Sequence, residues 1–296
     1  MALTDKLTNI ANAIRTKTGK TDLLTLDEMP TEIENIQSGS TFDTSQIRKC
    51  YEMFRDNTEI TEAPSFDTSG STTMYGMYYG CTNLKKAPSY DFSNCTSIFY
   101  MYYGCKSLEE IGDFINTDKL DDFDMCFSGC TSLKKAPFLN TKNFTSFSHA
   151  FMSLTSLETI PQYDTSNVTT FSNMFFSDRM LNTVPQLNAS KAINVNWAFQ
   201  SCRKLTNFGG FVELGKAYTQ ASNNYSSYSL ELDSSPLLTH ESLMNVINNL
   251  YDLNLTYNVA NGGTLYTQQL VLGSTNLAKL TADEIAIATA KGWTVS

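Results

Sequence analysis

Charge is scarce in this 296-residue chain, with 17% of residues charged, against about 25% in an average globular protein. What charge there is leans acidic, 21 basic against 30 acidic residues, for a net charge of -9. A surface that grips a phosphate backbone needs a basic patch. No basic arm occurs anywhere, so nucleic acid is not an expected partner. Histidine is scarcer still: His149 and His240 are the only two, far apart and outside any metal-ligand spacing. Zinc chemistry and histidine acid-base chemistry therefore have little to work with, and neither a cofactor nor catalysis is expected. Long apolar runs are missing as well. None approaches the ~18 residues of a membrane-crossing helix, and the opening MALTDKLTNIANAIRTK lacks the apolar core of a secretory signal. The expectation is a protein that does not insert in membranes and does not leave the cell by a signal peptide.

What the chain has instead is a repeat. A register with a period of 24 holds from Phe42 to Gly210. Seven units start at Phe42, Phe66, Tyr90, Ile115, Leu139, Tyr163 and Leu187, with one extra residue in the third, and each start is followed by Asp or Asn. Twelve positions into the units stand Phe54, Tyr78, Tyr102, Phe127, Phe151, Phe175 and Phe199. Eighteen positions in stand Ile60, Leu84, Leu108, Leu133, Leu157, Leu181 and Leu205. A period between 20 and 29 with an obligatory Leu marks a leucine-rich-repeat solenoid, in which each coil gives a short strand and a helical or 3₁₀ return. The fold class expected is an α/β repeat: a solenoid over residues 42–210, an N-terminal helical segment over 1–37, a linker at 38–41, and a C-terminal strand-helix cap over 211–296.

Within a unit, LKKAPSY (Leu84 to Tyr90) reads as the strand, with Leu84 and Ala87 inward and Lys85 and Lys86 wet. Pro64, Pro88, Pro137, Pro161 and Pro185 share one slot and lack an amide hydrogen, so the strand must be short or interrupted there. The Asp/Asn-Thr-Ser step that follows reads as an Asx turn or an N-cap rather than as a ligand site. In the return, slots eight, eleven, twelve and fifteen have helical spacing and form the buried face: Met74, Met77, Tyr78 and Cys81 in unit two, Phe123, Cys126, Phe127 and Cys130 in unit four. A coil cannot bury that face alone, so stability is a sum over neighbours. All seven cysteines fall in the array. They read as buried thiols, since the stacked Cys81, Cys105 and Cys130 cannot all pair and the total is odd.

At the ends the pattern changes. Leu3, Leu7, Ile10 and Ile14 recur at helical spacing before Gly19, forming a stripe that needs a partner surface and is the expected docking face. LDEMPTEIENI offers a second short helix, and Ser38 to Thr41 a flexible joint. After Gly210, YSLELDSS reads as a strand, LTHESLMNVINNLYDL as an amphipathic helix, TLYTQQLVLGS as a strand, and TADEIAIATAKGW as a helix ending at Gly292.

Units such as MYYGCTNLKKAPSYDFS and MFFSDRMLNTVPQLNAS, with the tail NLAKLTADEIAIATAKGWTVS, resemble the BspA-like leucine-rich-repeat proteins. The likeness covers about residues 42–296 and implies extracellular adhesion to proteins or glycans rather than catalysis. The opening LTNIANAIRTKTGKTDLLTLDEMPTEIENI resembles the N-terminal segment of tail-fibre and receptor-binding proteins of phages that infect Gram-positive bacteria. Together these resemblances imply a distal tail protein of a phage or phage-tail-like particle, made in the bacterial cytoplasm and acting at the virion tail tip outside the host. Its expected partners are a bacterial surface glycan or protein and other tail or baseplate subunits, with a homo-oligomer such as a trimer plausible. Two other readings stand beside it: a structural tail protein touching only virion subunits, and a bacterial surface adhesin lacking its signal.

The candidate contact patch comes from asking where a normally wet slot is aromatic. Nine and thirteen positions into the units most residues are polar (Ser128, Ser148, Ser172, Asn196), but units two and three carry Tyr75, Tyr79, Phe99 and Tyr103. These either form a recognition platform or pack on the N-terminal helices or another subunit. Lys86, Glu110 and Lys135 alternate in sign along the strand side, as a solvated face or a second contact. A polysaccharide depolymerase would need two carboxylates in a cleft. Asp121, Asp122 and Asp124 are the only acidic cluster in the array, and a charged turn explains them equally well.

Overall fold

In the computed structural model, residues 50–217, 229–255 and 268–296 are described. The expected docking face of Leu3, Leu7, Ile10 and Ile14 lies outside them, as do the joint and residues 42–49 of unit one.

From Cys50 onward the chain winds in coils that stack at the sequence period. On one side four of the coils contribute pairs of two-residue strands: β1 (Lys86–Ala87) and β2 (Tyr90–Asp91), β3 (Glu110–Ile111) and β4 (Phe114–Ile115), β5 (Thr183–Val184) and β6 (Leu187–Asn188), β7 (Asn207–Phe208) and β8 (Phe211–Val212). Neighbouring coils pair in parallel, Lys86 with Glu110, Tyr90 with Phe114, Thr183 with Asn207, and Leu187 with Phe211. Isolated bridges from Lys135 to Thr159 and from Thr159 to Thr183 carry the same register through the intervening coils. The break between paired strands falls at the proline slot, as expected from its missing donor. Two coils carry glycine there, and their amides do donate, Gly112 to the Ala87 carbonyl at 2.8 Å and Gly209 to that of Val184 at 3.0 Å. A Cβ at either would fall 2.2 or 2.4 Å from the next backbone nitrogen of the neighbouring coil. The break thus persists through close backbone packing even without proline.

Unit four begins one residue earlier than the sequence register implies. Phe114, not Ile115, is buried and pairs with Tyr90, while Ile115 is 44% exposed beside Asp91. The extra residue is absorbed at Asn116, whose φ of 57° puts it in the left-handed region that Asn tolerates. The parallel pairing also continues past Gly210, since Phe211 stacks on Leu187.

The return differs from expectation more deeply. From unit two onward slots eight, eleven, twelve and fifteen are buried as the spacing implies, yet the segment is not a helix. Slot ten is left-handed in every coil (Glu52, Gly76, Tyr100, Met125, His149, Asn173, Trp197), and so is slot fourteen (Asp56, Gly80, Gly104, Gly129, Ser153, Ser177, Ser201). A left-handed residue ends an α-helical run. It also turns alternate amides outward along the stack. The amides of Met74, Gly76, Tyr78 and Gly80 donate to the carbonyls of Ser97, Phe99, Met101 and Tyr103 in the next coil, while those of Met77, Tyr79 and Cys81 close turns onto residues three back. The same alternation recurs from coil to coil, so the return is a one-way ladder of inter-coil hydrogen bonds and its backbone is satisfied without a helix.

Side chains complete the stack. At slot twelve Phe54, Tyr78, Tyr102, Phe127, Phe151, Phe175 and Phe199 form one column, with ring centroids 5.1, 5.5, 5.6, 6.3, 5.7 and 5.5 Å apart. In five units the Asp/Asn after the unit start closes an Asx turn, with Asp67, Asp91, Asn140, Asp164 and Asn188 each accepting the amide two residues on, whereas Asn116 donates its side-chain amide to the Asp91 carboxylate at 3.0 Å. The next threonine staples coils, Thr68 to the Asp91 carbonyl at 2.8 Å and Thr165 to that of Asn188 at 2.9 Å.

All seven cysteines are free and buried. At slot fifteen the thiols of Cys81, Cys105, Cys130 and Cys202 donate to the carbonyls of Phe54, Tyr78, Tyr102 and Phe175 in the preceding coil. Asp178 takes that slot in unit six. One of its oxygens accepts the Leu154 amide at 2.7 Å, the other has no partner, and burial pushes its carboxyl far above the usual range.

The C-terminal residues form a parallel sheet of β9 (Ser229–Glu231), β10 (Gln268–Val271) and β11 (Trp293–Val295), ordered β11-β10-β9, with α1 (His240–Asn249), α2 (Gly273–Leu277) and α3 (Ala282–Ala290). Helix α1 covers the last coil, where the Ser242 hydroxyl accepts the Phe208 amide at 3.0 Å and donates to the Thr206 carbonyl at 3.0 Å. Helix α3 starts in a capping box of Thr281 and Glu284.

The column makes a direct prediction. Truncating Phe127, fully buried between two rings, should cost about 3 to 5 kcal/mol. Phe138→Ala, at a side chain 70% exposed, should change stability by about 0.5 kcal/mol or less. Denaturant unfolding of the two variants checks the contrast.

Candidate functional site: an aromatic ridge on the returns

The ladder puts slots nine, ten and thirteen of successive coils side by side on the outer surface. Tyr75 and Phe99 stack at 5.5 Å, and Tyr79 and Tyr103 at 4.9 Å. The structure thus brings together the four aromatics expected from the sequence, in two columns rather than as separate platforms. Three further residues join them. Tyr51, 46% exposed, stacks on Tyr75 at 4.9 Å. The Arg55 guanidinium lies 4.3 Å from the centre of the Tyr79 ring, a cation-π contact. Tyr100 stands edge-on to Tyr75, Tyr79, Phe99 and Tyr103 at 4.1 to 5.9 Å and interlocks the columns.

Tyr51 and Arg55 were legible, since they hold slots nine and thirteen of unit one. Tyr100 was not. Its slot becomes part of the ridge only because it is left-handed and because coil two has Gly76 there, with no side chain.

The rings are mostly half-buried, and their mutual stacking takes up most of the ring faces. What remains outward is ring edge, phenol hydroxyl and the column ends. Pre-stacked rings lose little freedom on binding, which favours recognition by a ridge of this kind.

Lys86, Glu110 and Lys135 are not part of it. They lie on the strand side, where the Lys86 ammonium meets Glu110 at 3.1 Å with both side chains more than half exposed; salt screens such a pair. Lys135 bridges Thr159 through its backbone. In the acidic cluster, each of two carboxylates binds a neighbouring coil. Asp122 accepts the Ser97 hydroxyl at 2.8 Å, and Asp124 that of Ser146 at 2.7 Å. Slot seven caps its own turn in other coils as well, through Thr73, Ser97, Ser146 and Thr170. Burial raises both carboxyls, Asp124 to about 6, against the lowering effect of the serine bonds. His149 shares a 2.8 Å hydrogen bond with Ser148, and burial lowers its pKa. Among the described residues no group of three or more His, Cys, Asp or Glu is placed to hold a metal, and no helix is long and apolar enough to cross a membrane.

A family model described as "Mycoplasma protein of unknown function, DUF285" matches residues 24–138 and 134–227, well over half of the chain. The chain belongs to the DUF285 family. The DUF285 match begins within the expected N-terminal segment and runs past Gly210. No curated protein matches the chain. Among solved structures it is similar to a leucine-rich repeat protein from Bacteroides ovatus, at 16% identity and a TM-score of 0.33 over 73% of this chain. The match spans 57% of that protein's length.

The Asp124 carboxyl gives a pH prediction. Its folded pKa of about 6 lies above the ordinary 3.8, so the fold favours the neutral acid. Stability is therefore lost as pH rises between those values and stays lower above them. Asp124→Asn removes this slope. The variant should gain in melting temperature over the parent as pH goes from 4 to 7, and a gap that stays constant would show that Asp124 does not titrate in that range.

Proposed function

We propose that this chain is a non-catalytic surface-binding protein of adhesin type, a seven-unit leucine-rich-repeat solenoid. It acts as the distal tail or receptor-binding protein of a phage or phage-tail-like particle. The observation that carries the adhesive reading is the ridge of Tyr51, Tyr75, Tyr79, Phe99, Tyr100 and Tyr103, pre-ordered by stacking on the outside of a periodic scaffold. The virion setting is supported by the resemblance of the first 35 or so residues to phage tail proteins. In that setting residues 1–37 dock to tail or baseplate subunits, as a homo-oligomer such as a trimer, and the ridge meets a bacterial surface glycan or protein. The protein is made in the host cytoplasm and works outside it, at the tail tip. Many copies on one particle make weak individual contacts sufficient.

A structural tail protein is the second reading. It is favoured by the same stacking, which leaves ring edges rather than faces for a partner, and it makes the ridge a subunit interface.

Titration of labelled full-length chain onto intact Gram-positive cells separates the two. Adhesion requires saturable binding that Tyr79→Ala weakens about tenfold, the loss of ~1.4 kcal/mol for one interface tyrosine, with the variant still folded by circular dichroism. A folded parent that binds no cells would leave the structural reading.

A further inference from the structure

Helix α1 closes the last coil: its Leu243, Val246 and Ile247 are buried, and its Ser242 bonds the backbone of that coil. Coil one has no such cover among the described residues. Met53, Phe54 and Ile60, at slots eleven, twelve and eighteen, are only half-buried, whereas the same three slots are buried in every later coil. Phe54 has Tyr78 against one face and no described ring against the other. The backbone is open on the same side. In the one-way ladder the carbonyls at slots nine, eleven and thirteen accept amides of the preceding coil, as those of Tyr75, Met77 and Tyr79 accept the amides of Glu52, Phe54 and Asp56. In coil one the carbonyls of Tyr51, Met53 and Arg55 hold these slots, and no described amide donates to them. An apolar face edged by carbonyls in this way is a template for one more layer of chain.

The chain itself holds a segment that fits. Extending the register back by one period sets Leu26 against Cys50, Met29 against Met53, Pro30 against Phe54, Ile33 against Asn57 and Ile36 against Ile60. These five are all the apolar residues between Thr25 and Gln37, and they fall on slots eight, eleven, twelve, fifteen and eighteen. The slots between them hold only Asp, Glu, Thr and Asn. The DUF285 match begins at residue 24, so it takes in this stretch and leaves out the stripe of Leu3, Leu7, Ile10 and Ile14. Thirteen residues join Ile36 to Cys50, as thirteen join Ile60 to Met74 one turn later, and this tether presents the segment to coil one at high effective concentration.

We propose that residues 26–36 form the return of one further, incomplete coil that closes the N-terminal end of the stack. Leu26, Met29, Ile33 and Ile36 lie over coil one, and the amides of Glu28 and Glu32, at slots ten and fourteen, donate to the carbonyls of Tyr51 and Arg55. Pro30 brings neither a ring nor an amide, so the slot-twelve column starts at Phe54; a terminal repeat that departs from the pattern in this way ends a stack rather than extending it. The cap goes beyond the adhesive reading and does not depend on it. It narrows the segment left for docking to another subunit to residues 1–23.

The test is made in the full-length chain. Hydrogen exchange of the parent should show residues 26–36 exchanging about tenfold or more slowly than a free peptide of that sequence. Ile33→Asp should abolish this protection, while coils four to seven keep theirs as the check on folding, and Leu7→Asp should leave it unchanged. Met29→Cys combined with Met53→Cys places thiols at slot eleven of adjacent coils, within disulfide reach in a stacked register. Mild oxidation and peptide mapping should link residues 29 and 53 within one chain, and Leu7→Cys combined with Met53→Cys should stay unlinked. Exchange of residues 26–36 at the free-peptide rate in the parent overturns the cap, as does protection that Ile33→Asp does not lower. A link between two chains, seen as a dimer without reductant, overturns it by giving the open end to a second copy. A link through Leu7→Cys overturns it by giving that end to the stripe.

Discussion

Everything in the array depends on one constraint: a coil of 24 residues is too small to bury its own inner face, so each coil is completed by the next. The column from Phe54 to Phe199 is the clearest expression of it. Each inner ring, from Tyr78 to Phe175, has one face on the preceding coil and one on the following coil, so no coil's core belongs to that coil alone. Backbone bonding follows the same logic. The strands are two residues long and could not hold a sheet by themselves, but the return ladder adds a second line of inter-coil bonds on the opposite side. Stability is then a sum over neighbour contacts, with the ends as the weak points. Helix α1, bonded to the last coil through Ser242, closes one of those ends.

The ridge is a by-product of that periodicity. Stacking forces equivalent side chains of adjacent coils to lie about one ring thickness apart, so any aromatic repeated at an outward slot becomes a column. Units two and three repeat aromatics at slots nine and thirteen, and the columns appear there and stop where Asp124 and Ser128 replace them. The buried ionisable groups show the same economy of position. Asp178 occupies a slot that holds a thiol in four other coils, and Asp122 and Asp124 bind serines of adjacent coils. Their raised pKa values come from burial inside the stack, which is a structural cause and no sign of catalysis.

The sequence by itself determined the period, the identity of the buried slots, the Asx turn after most unit starts, and the break at Pro88 and its equivalents. These are local or strictly repeated features, and a repeat prints its inter-coil contacts directly into the chain as residues 24 apart. Only the tertiary structure decided the conformation of the return. Apolar residues at slots eight, eleven, twelve and fifteen fit a helix by spacing, yet the competition between intra-coil bonds and bonds to a neighbouring coil is settled by a partner that a single unit does not contain. It also decided that Phe114 rather than Ile115 is buried, because the extra residue could be absorbed on either side until the pairing with Tyr90 fixed it. Tyr100 belongs to the ridge for the same reason: a left-handed residue above Gly76 has no signature in its own unit, and its side chain finds its neighbours only when two coils are in register.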